Sequence, residues 1–517
     1  MTTVHSPQRF DHVVRTRAGS VAGTITGGVV AFRGIPYAQP PVGSLRFASP
    51  RPPVPWTGVR DATEFGPPFV QSDVDDWSED ALLANVWTPG TAGRLPVLVY
   101  LHGGGWQLGA GSLPTYDGAR LARRGELVVV TFNYRLGVFG FGLHEDLVDV
   151  DTGSVANWGL QDQAALLRWV HENAEAFGGD PDNITVVGTS AGGASTHQLS
   201  LLPQLRGIIR RIVPISAGHV RAPAFSLTPE DSCAVYEHIA DRLGTTVSGL
   251  RSVPAAELHA AWTGVFSGSP NDRIVDSGRE YRGPVVDGEW MPGFDHVLPP
   301  PDVPVLTVHT RTEGTFFTID GLSGVPSPPK PTNEVQLRDA VRAVLHKLLV
   351  DVPEHLVDRC LAEHRDPAAT PAATWATIWG DGLFRHPIFR MADRHARTGR
   401  TPQYAMEFAH PTTAAEVGTP HEATSKFLFG THGIAENIAL YGDSPLDRRV
   451  SDTFMELVAS FARDGVPRCA GTPDWPVLRP DGVGLFVLGG PKVAELAVTT
   501  TPRHLRFWDD VDRRNAP

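Results

Sequence analysis

The sequence predicts an α/β fold in which a mostly parallel, doubly wound central sheet carries helices on both faces. Three observations support this prediction. Near-continuous apolar runs, typical of strands buried on both faces, alternate with segments whose apolar residues recur at helical spacing. Two of these runs end directly at glycine-rich turns. The 517 residues contain no internal repeat and no dividing Pro/Gly-rich linker, so we expect residues 1–517 to form a single domain.

The predicted strands are the most continuous runs of aliphatic and β-branched residues in the chain. The first reads "LPVLVYL" and the second "LVVVTFNY", and three shorter runs follow them. Strands buried on both faces of a parallel sheet lose the polar–apolar alternation of half-exposed strands. The five predicted strands cover residues 95–101, 127–134, 184–188, 212–216 and 304–310.

Helical spacing is clearest between Asn157 and Phe177, where apolar residues recur at positions typical of one helix face. The stretch "GGDPDN" at 178–183 is expected to break the chain before the strand "ITVVG". The segment "AGGASTHQLSLL" at 191–202 then predicts the helix that follows this strand. Residues from about 228 to 350 mix helical segments with loops, including the proline-rich "GVPSPPKPTNE". We expect this region to be an insertion packed over the sheet, within the same domain.

Composition argues against several classes of function. With 57 acidic and 45 basic residues the net charge is −12, which disfavours a nucleic-acid partner. The N-terminus has no apolar run typical of a signal peptide, and no apolar stretch approaches the roughly 20 residues needed to cross a bilayer. Cys233, Cys360 and Cys469 lie too far apart for a dense disulfide framework or a CxxC metal site. We therefore expect a cytoplasmic protein with reduced thiols and no membrane association.

The octapeptide "VVGTSAGG" at 186–193 contains the candidate nucleophile, Ser190. Glycines at 188 and 192 allow a sharp turn between a strand and a helix, which can present a serine hydroxyl to a substrate carbonyl. A serine hydroxyl is a weak nucleophile at neutral pH. It needs a base, usually histidine, and a carboxylate that holds this base in the right tautomer. The pattern therefore predicts two partners elsewhere in the chain.

The hexapeptide "LHGGGW" at 101–106 directly follows the first predicted strand. Three consecutive glycines leave backbone N–H groups without side-chain cover, which suits an oxyanion hole. A phosphate-binding or merely flexible loop has the same composition. The combination with a strand–GxSxG–helix pattern downstream favours the oxyanion hole.

Together with these motifs, several further segments make the chain resemble the type-B carboxylesterases. This α/β-hydrolase family includes the cholinesterases and the para-nitrobenzyl esterases. Because the matching segments are numerous and in order along most of the chain, the resemblance is specific. The segments are "FRGIPYAQPPVGSLRF" (32–47), "SEDALLANVWTP" (78–89), "LPVLVYLHGGGW" (95–106), "NYRLGVFGF" (133–141), "ANWGLQDQ" (156–163), "AFGGDPDNITVVGTSAGG" (176–193) and "GPVVDGEWMP" (283–292).

The resemblance implies the partners of the serine. The family's acid lies in an "EG" turn after a late strand, and "VLTVHTRTEGTFF" offers Glu313 there, with Asp320 as the alternative. The base lies in a loop that "GTPHEATSKFLFG" matches at His421, with His410 and His432 as neighbouring competitors. The chain order of serine, acid and histidine is then the order expected for an α/β-hydrolase.

Further roles follow from the same resemblance. The backbone N–H groups of Gly104, Gly105 and Ala191 are expected to form the oxyanion hole. Ser216, after the strand "IVPI", is expected to hydrogen-bond the acid. Trp106 is expected to line the acyl side of a substrate pocket, with packing in the core as the alternative.

Two ion pairs are also implied by the resemblance. Arg46 with Glu79, and Arg135 with Asp162, fall where the family has buried ion pairs, although simple surface pairing would place the same residues together. No metal or organic cofactor is implied.

This sequence departs from the family pattern beside the nucleophile. The family usually has glutamate before the serine, and this chain has Thr189. One negative charge that would help to stabilise the protonated histidine is therefore missing. We expect an altered rate, pH profile or substrate choice, and a lower preference for cationic substrates. The pattern after the base is also altered, since the chain reads "HEATS" there.

The motifs predict a serine hydrolase that cleaves neutral, fairly apolar small carboxylic esters through an acyl-enzyme. The same chemistry could serve acyl transfer, deacylation or lactone opening in a biosynthetic step. A non-catalytic binding protein of cholinesterase-like fold is a third reading, which the presence of all the catalytic residue types disfavours. A hormone-sensitive-lipase-like esterase also combines HGGG with GxSAG, but the N-terminal "FRGIPYAQPPVG" and the length fit it poorly.

Overall fold

The central feature of the fold is one large sheet. A computed structural model of the chain describes residues 12–72, 74–217, 228–267, 283–294, 297–319, 322, 330–346, 348–349, 351–480, 483–498 and 503–514. The strands in these residues are β1 (His12–Arg15), β2 (Ser20–Thr26), β3 (Val29–Pro36), β4 (Val59–Asp61), β5 (Leu83–Thr88), β6 (Leu95–Leu101), β7 (Val128–Phe132), β8 (Gly179–Thr189), β9 (Ile209–Ile215), β10 (Val305–Thr310), β11 (Gln403–Phe408), β12 (Val483–Leu488) and β13 (Ala494–Val498).

The strand order gives the sheet a parallel centre and antiparallel edges. The order is β1-β2-β3-β5-β7-β6-β8-β9-β10-β11-β12-β13, with β4 beside β2. All neighbours from β7 through β12 pair in parallel, whereas β1, β3, β5 and β13 pair antiparallel with their neighbours. Because the parallel strands share a direction, their carboxyl ends meet at one edge of the sheet, where ligand sites of such folds lie. This architecture confirms the predicted doubly wound α/β fold.

Helices connect the strands and cover both faces of the sheet. Their bounds are α1 (Ala119–Gly125), α2 (Gly137–Gly140), α3 (Trp158–Asn173), α4 (Ala191–Leu201), α5 (Pro229–Arg242), α6 (Ala255–Ser267), α7 (Thr315–Thr318), α8 (Glu334–His346), α9 (Glu354–Glu363), α10 (Pro371–Gly380), α11 (His386–Thr398), α12 (Ala423–Phe429), α13 (Ile438–Tyr441), α14 (Pro445–Asp464) and α15 (Arg503–Arg514).

The core lies on both sides of the sheet, as the apolar runs predict. In β6, alternate side chains enter different clusters: Val97 and Val99 pack on one face, with α3, and Leu98 and Tyr100 pack on the other, with α14. Successive side chains of a strand point to opposite faces, so a strand buried on both must be apolar throughout. The predicted bounds of this strand, 95–101, are therefore the observed ones.

Of the predicted strand boundaries, the start of β8 lies furthest from the observed one. The stretch 178–183 predicts a break in the chain before a strand at 184, yet β8 begins at Gly179. Gly178, with φ of 76°, ends a short 3₁₀ turn, and Gly179 then pairs with Leu95 at the start of β6. Backbone pairing at the exposed end of a sheet needs no apolar side chains. The register of the pairing then shifts between Gly179 and Ile184, so the polar residues 180–183 form an irregular stretch inside the strand.

Two internal ion pairs tie loops to the fold, as the family resemblance implies. Arg135 and Asp162 are almost fully buried and form a salt bridge of 2.6 Å. Arg46 and Glu79 approach to 2.5 Å with side chains 7% and 11% exposed. Both arginines also donate to backbone carbonyls, Arg135 to that of Ala48, so their remaining donors are satisfied.

The region from 228 to 350 contains more than a covering insertion. It contributes α5, α6, α7 and α8, but also β10, which lies inside the parallel part of the sheet. Most of the proline-rich stretch in this region lies outside the described residues.

Candidate active site

Ser190 lies at the turn between β8 and α4, at the carboxyl edge of the sheet. Its φ of 59° and ψ of −123° fall in a region that non-glycine residues rarely occupy. The Ser190 N–H donates to the carbonyl of Ile215 on β9 at 2.9 Å, which holds the turn against the neighbouring strand. Strained backbone of this kind is typical of a nucleophile elbow, in which the serine side chain stands clear of the sheet.

The glycines around Ser190 are required by close backbone contacts. A Cβ on Gly188 would lie 2.2 Å from the Gly192 carbonyl oxygen, and one on Gly192 would lie 2.1 Å from that of Leu101. A Cβ on Gly193 would lie 2.7 Å from the carbonyl oxygen of Ile215. The first turn of α4 therefore packs directly against the ends of the two neighbouring strands. Any side chain at these positions would push the elbow out of place.

The glycine loop after β6 lies beside the elbow. A Cβ on Gly103 would lie 3.1 Å from Ser190 Cβ, and Gly104 and Gly105 have φ values of 111° and 59°. Among the described residues, no acceptor bonds the N–H groups of Gly104, Gly105 or Ala191. Ala191 is also the first residue of α4, where helix N–H groups have no intrahelical partner. These three donors are therefore free to bind an anion next to the serine.

Glu313 and His421 form a buried pair, 108 positions apart in the chain. His421 Nδ1 lies 2.5 Å from Glu313 Oε2, with side chains 1% and 0% exposed. The other carboxylate oxygen, Oε1, accepts hydrogen bonds from the Ser216 hydroxyl and the Thr310 N–H, both at 2.7 Å. Three donors thus fix the carboxylate, and the predicted bond from Ser216 is confirmed.

The second ring nitrogen of His421 is available for chemistry. Nε2 is buried and has no hydrogen-bond partner in the part of the chain that the structure describes. The rings of Phe316, Phe317 and Phe384 surround the imidazole, with centroids 5.7, 5.0 and 4.3 Å from it. A buried nitrogen without a partner is costly, so it is a place where a substrate or a reacting hydroxyl can bind.

Neither alternative base is joined to this pair. His410 bonds Asp447 at 2.9 Å, and the ring of His432 stacks on Phe427. Burial also lowers the pKa of His432, so its imidazole is neutral near pH 7. Asp320 lies outside the described residues.

A π-helical turn at Asp381–Arg385 packs against the pair of Glu313 and His421. Nothing in the sequence predicts this turn. Phe384 on this turn contacts the imidazole of His421. Arg385, next to it, forms salt bridges of 2.8 Å with Asp381 and 3.5 Å with Glu407. Burial opposes the arginine charge, but the nearby carboxylates outweigh it and raise the pKa of Arg385. Such turns have no distinct sequence pattern, and they occur often at functional sites.

Glu407 on β11 is the common partner of three cationic or polar groups. Arg311 donates to it at 2.8 and 2.7 Å, and His309 and Arg385 lie 3.6 and 3.5 Å away. Burial alone would raise the pKa of this carboxyl. The neighbouring His309 and the two arginines outweigh burial and lower the pKa to about 2.

We expect Glu407→Gln to destabilise the fold at pH 7 by about 3 kcal/mol, because the folded state holds this carboxylate more tightly than the unfolded chain does. The pKa of the Glu407 carboxyl is lower in the folded protein than in the unfolded chain, so its ionised form stabilises the fold. This stabilisation is complete above about pH 4.5, the pKa that this carboxyl has in the unfolded chain. This contribution is lost as the pH falls towards 2. The melting temperatures of the wild-type protein and of Glu407→Gln, measured between pH 7 and pH 3, should therefore approach each other at the lowest pH. Glu495→Gln, at an exposed pair with Lys492, is the matched control. An equal, pH-independent effect of both changes would contradict the expectation.

Thr189 and Trp106, which flank the catalytic motifs, are both buried. The Thr189 hydroxyl accepts from the hydroxyl of Tyr100 at 3.1 Å. Trp106 is 4% exposed, and its indole N–H donates to Ser195 Oγ at 3.0 Å. Its ring also lies against Phe141, with the centroids 6.1 Å apart. These contacts favour packing in the core for Trp106, and contact with a substrate stays a prediction.

Three further features bear on the class of protein. Within the described ranges, no helix has both the length and the apolar composition that crossing a bilayer requires. No cluster of three or more histidine, cysteine or acidic side chains is arranged for a metal in the same ranges. All three cysteines are free thiols.

The chain is similar to several known proteins over most of its length. The model of the carboxylesterase family matches residues 11–508. The phenmedipham hydrolase of Pseudarthrobacter oxydans is 31% identical over 93% of this chain and 96% of its own. The para-nitrobenzyl esterase of Bacillus subtilis is 33% identical over 90% of this chain and 92% of its own. A solved structure of a Geobacillus stearothermophilus carboxylesterase matches with a TM-score of 0.80 and 33% identity, over 96% of this chain and 99% of that one.

Proposed function

The chain belongs to the carboxylesterase family and hydrolyses carboxylic esters, and we propose that it does so through a triad of Ser190, His421 and Glu313. The family match removes the alternative of a hormone-sensitive-lipase-like esterase. It also disfavours a non-catalytic binding protein, since the similar proteins are named as hydrolases and esterases.

In the proposed mechanism, the Ser190 hydroxyl attacks the ester carbonyl while His421 Nε2 accepts its proton. The tetrahedral oxyanion is bound by the N–H groups of Gly104, Gly105 and Ala191. As the C–O bond breaks, His421 returns the proton to the leaving alcohol, and Ser190 keeps the acyl group. Water then attacks the acyl-enzyme with the same base, and the acid leaves. Glu313 holds the imidazole so that Nε2 can accept the proton, and it stabilises the imidazolium.

The observation that carries this proposal is the buried 2.5 Å contact between Glu313 and His421. Ser216 binds the same carboxylate, and the carbonyl of the preceding residue, Ile215, accepts from the N–H of Ser190 in its strained turn. A fully buried carboxylate on one imidazole nitrogen selects the tautomer whose other nitrogen can act as a base. Hydrogen bonds between catalytic groups are often long or poorly aligned without substrate and tighten when it binds.

The substrates we propose are neutral, fairly apolar small esters. Phe316, Phe317 and Phe384 surround the imidazole of His421, and Phe316 and Phe317 are partly exposed. An aromatic wall next to the reacting atoms favours apolar acyl or alcohol groups. We also propose that residues 1–517 act as one catalytic unit, in which part of the region 228–350 covers the site.

Labelling and turnover test this proposal together. A fluorophosphonate probe should modify one serine per chain, on the peptide that contains Ser190, and should abolish hydrolysis in proportion. Para-nitrophenyl acetate and butyrate should be cleaved faster than acetylthiocholine, which carries a positive charge. Label on another residue, or full activity in fully labelled protein, would contradict the triad. A preference for the cationic ester would contradict the substrate class.

A further inference from the structure

We propose that Glu422 is a positioning residue that supplies a fixed negative charge beside His421, in place of the carboxylate that this family usually carries at residue 189. This inference rests on the proposed function, because it concerns the same base. It assigns the charge to a different part of the chain, the residue directly after the histidine.

Residue 189 itself provides a hydroxyl and no charge. Thr189 is fully buried, and its Oγ1 accepts from Tyr100 at 3.1 Å. The hydroxyl of Ser425 lies 3.5 Å from the same Oγ1 and 3.3 Å from the Glu422 carboxylate. Ser425 thus connects the residue before the nucleophile with the acid after the base.

The carboxylate of Glu422 lies next to the reacting serine. A Cβ on Gly103 would be 3.4 Å from Glu422 Oε1 and 3.1 Å from Ser190 Cβ, so both side chains border the same side of this glycine. The Glu422 side chain is only 13% exposed. Its other oxygen, Oε2, binds Lys426 at 3.3 Å. The lysine is therefore held on the side of the carboxylate away from Gly103, and the ring of Tyr441 lies 5.8 Å from its ammonium.

Glu422 is charged at neutral pH although it is buried. Burial alone would raise the pKa of the carboxyl, but the charges of Lys426 and His421 and the hydrogen bonds from Lys426 and Ser425 outweigh it and lower the pKa. The interaction with His421 acts in both directions, because an imidazolium that stabilises the Glu422 carboxylate is itself stabilised by that carboxylate to the same extent.

The other charged groups around the imidazole do not replace this one. Glu313 already binds Nδ1, and Arg385 lies behind it with a positive charge. His102, at the start of the glycine loop, is neutral near pH 7 because burial lowers its pKa to about 4. Glu422 is thus the second anion that faces the base among the described residues.

The charge should act when the base is protonated. During attack and during departure of the alcohol, His421 becomes an imidazolium in a site screened from water, where a nearby anion lowers the energy of this state. We expect Glu422→Gln to lower kcat by roughly 3- to 10-fold. The midpoint of the acidic limb of the kcat/KM profile should move to lower pH by about 0.5 to 1 unit, since this limb reports protonation of the free enzyme.

The test compares pH profiles of kcat/KM for para-nitrophenyl butyrate. Glu422→Gln keeps the size of the side chain and its bond to Ser425, and Glu422→Asp, which keeps the charge, should restore the limb at least in part. The double variant Thr189→Glu with Glu422→Gln places the negative charge at residue 189 instead. The midpoint of its acidic limb should return towards the wild-type pH. Glu436→Gln, at an exposed position after α12, is the control. Melting temperatures identify variants that fail to fold.

The outcomes separate this inference from the proposed function. A wild-type acidic limb in a folded Glu422→Gln variant would overturn the inference, as would a lower rate that Glu422→Asp does not recover. Neither result affects the triad. If Ser190→Ala measured alongside retained its activity, the proposed function itself would fail.

Discussion

Replacing Ser190 by alanine should lower the kcat for para-nitrophenyl butyrate by roughly 10⁵- to 10⁶-fold, the size of loss seen when a serine nucleophile is removed from a triad. The reason is chemical, because no acyl-enzyme can form without the hydroxyl. The residual rate should come from the three N–H donors and the binding surface alone. Two measurements check the expectation. Turnover is measured with enough enzyme to detect the residual rate, and labelling by the fluorophosphonate probe should be lost.

The fold should survive this change. Alanine keeps the Cβ, so the strain at a φ of 59° is the same as for serine, and the hydroxyl makes no hydrogen bond among the described residues. Ser200→Ala, at the far end of the same helix, is a matched control that should keep nearly full activity. An unchanged melting temperature with an active Ser190→Ala variant would show that another group performs the chemistry.

Local patterns predicted the parts of this site that short stretches of chain build. The run 95–101 ends at the glycine loop, and the loop and the elbow at Ser190 depend on glycines whose absent side chains make room for backbone. Such features follow from composition and order alone, because the physical requirement and the residue that meets it are neighbours in the chain.

The pairing of Glu313 with His421 could be predicted only through the family resemblance, since 108 positions separate them. Glu422 and the π-helical turn at 381–385 were not predicted at all. A glutamate after a histidine carries no pattern. Its proximity to Ser190 depends on how α12 packs against the glycine loop, which is set by tertiary contacts. The carboxyl edge of the sheet thus gathers groups that the sequence separates.

Replacing Glu313 by glutamine should lower kcat by about 10⁴-fold, although it changes one atom. Two donors, the Ser216 hydroxyl and the Thr310 N–H, converge on Oε1. The amide NH₂ group of glutamine cannot take that position, because it would face the backbone N–H of Thr310, which can only donate. The glutamine oxygen must therefore occupy it, and the NH₂ group must face His421.

The consequence is the wrong tautomer of the base. With an NH₂ donor opposite it, Nδ1 of His421 must accept a hydrogen bond, so the ring proton moves to Nε2. Nε2 can then no longer accept the proton of Ser190, and the imidazolium also loses its buried counter-charge. Both effects act on the same chemical step, so kcat should fall far more than binding, and KM should change by only a few fold.

Two matched variants distinguish this tautomer argument from simple loss of packing. Glu313→Asp keeps the charge and both acceptor oxygens on a shorter side chain, so it should retain considerably more activity than Glu313→Gln. Ser216→Ala removes one donor from Oε1 but leaves the Thr310 N–H and the contact with His421, so it should cost no more than about 10-fold. If a folded Glu313→Gln variant kept the activity of Ser216→Ala, the carboxylate would not be orienting the base, and the acid of the triad would have to be sought elsewhere.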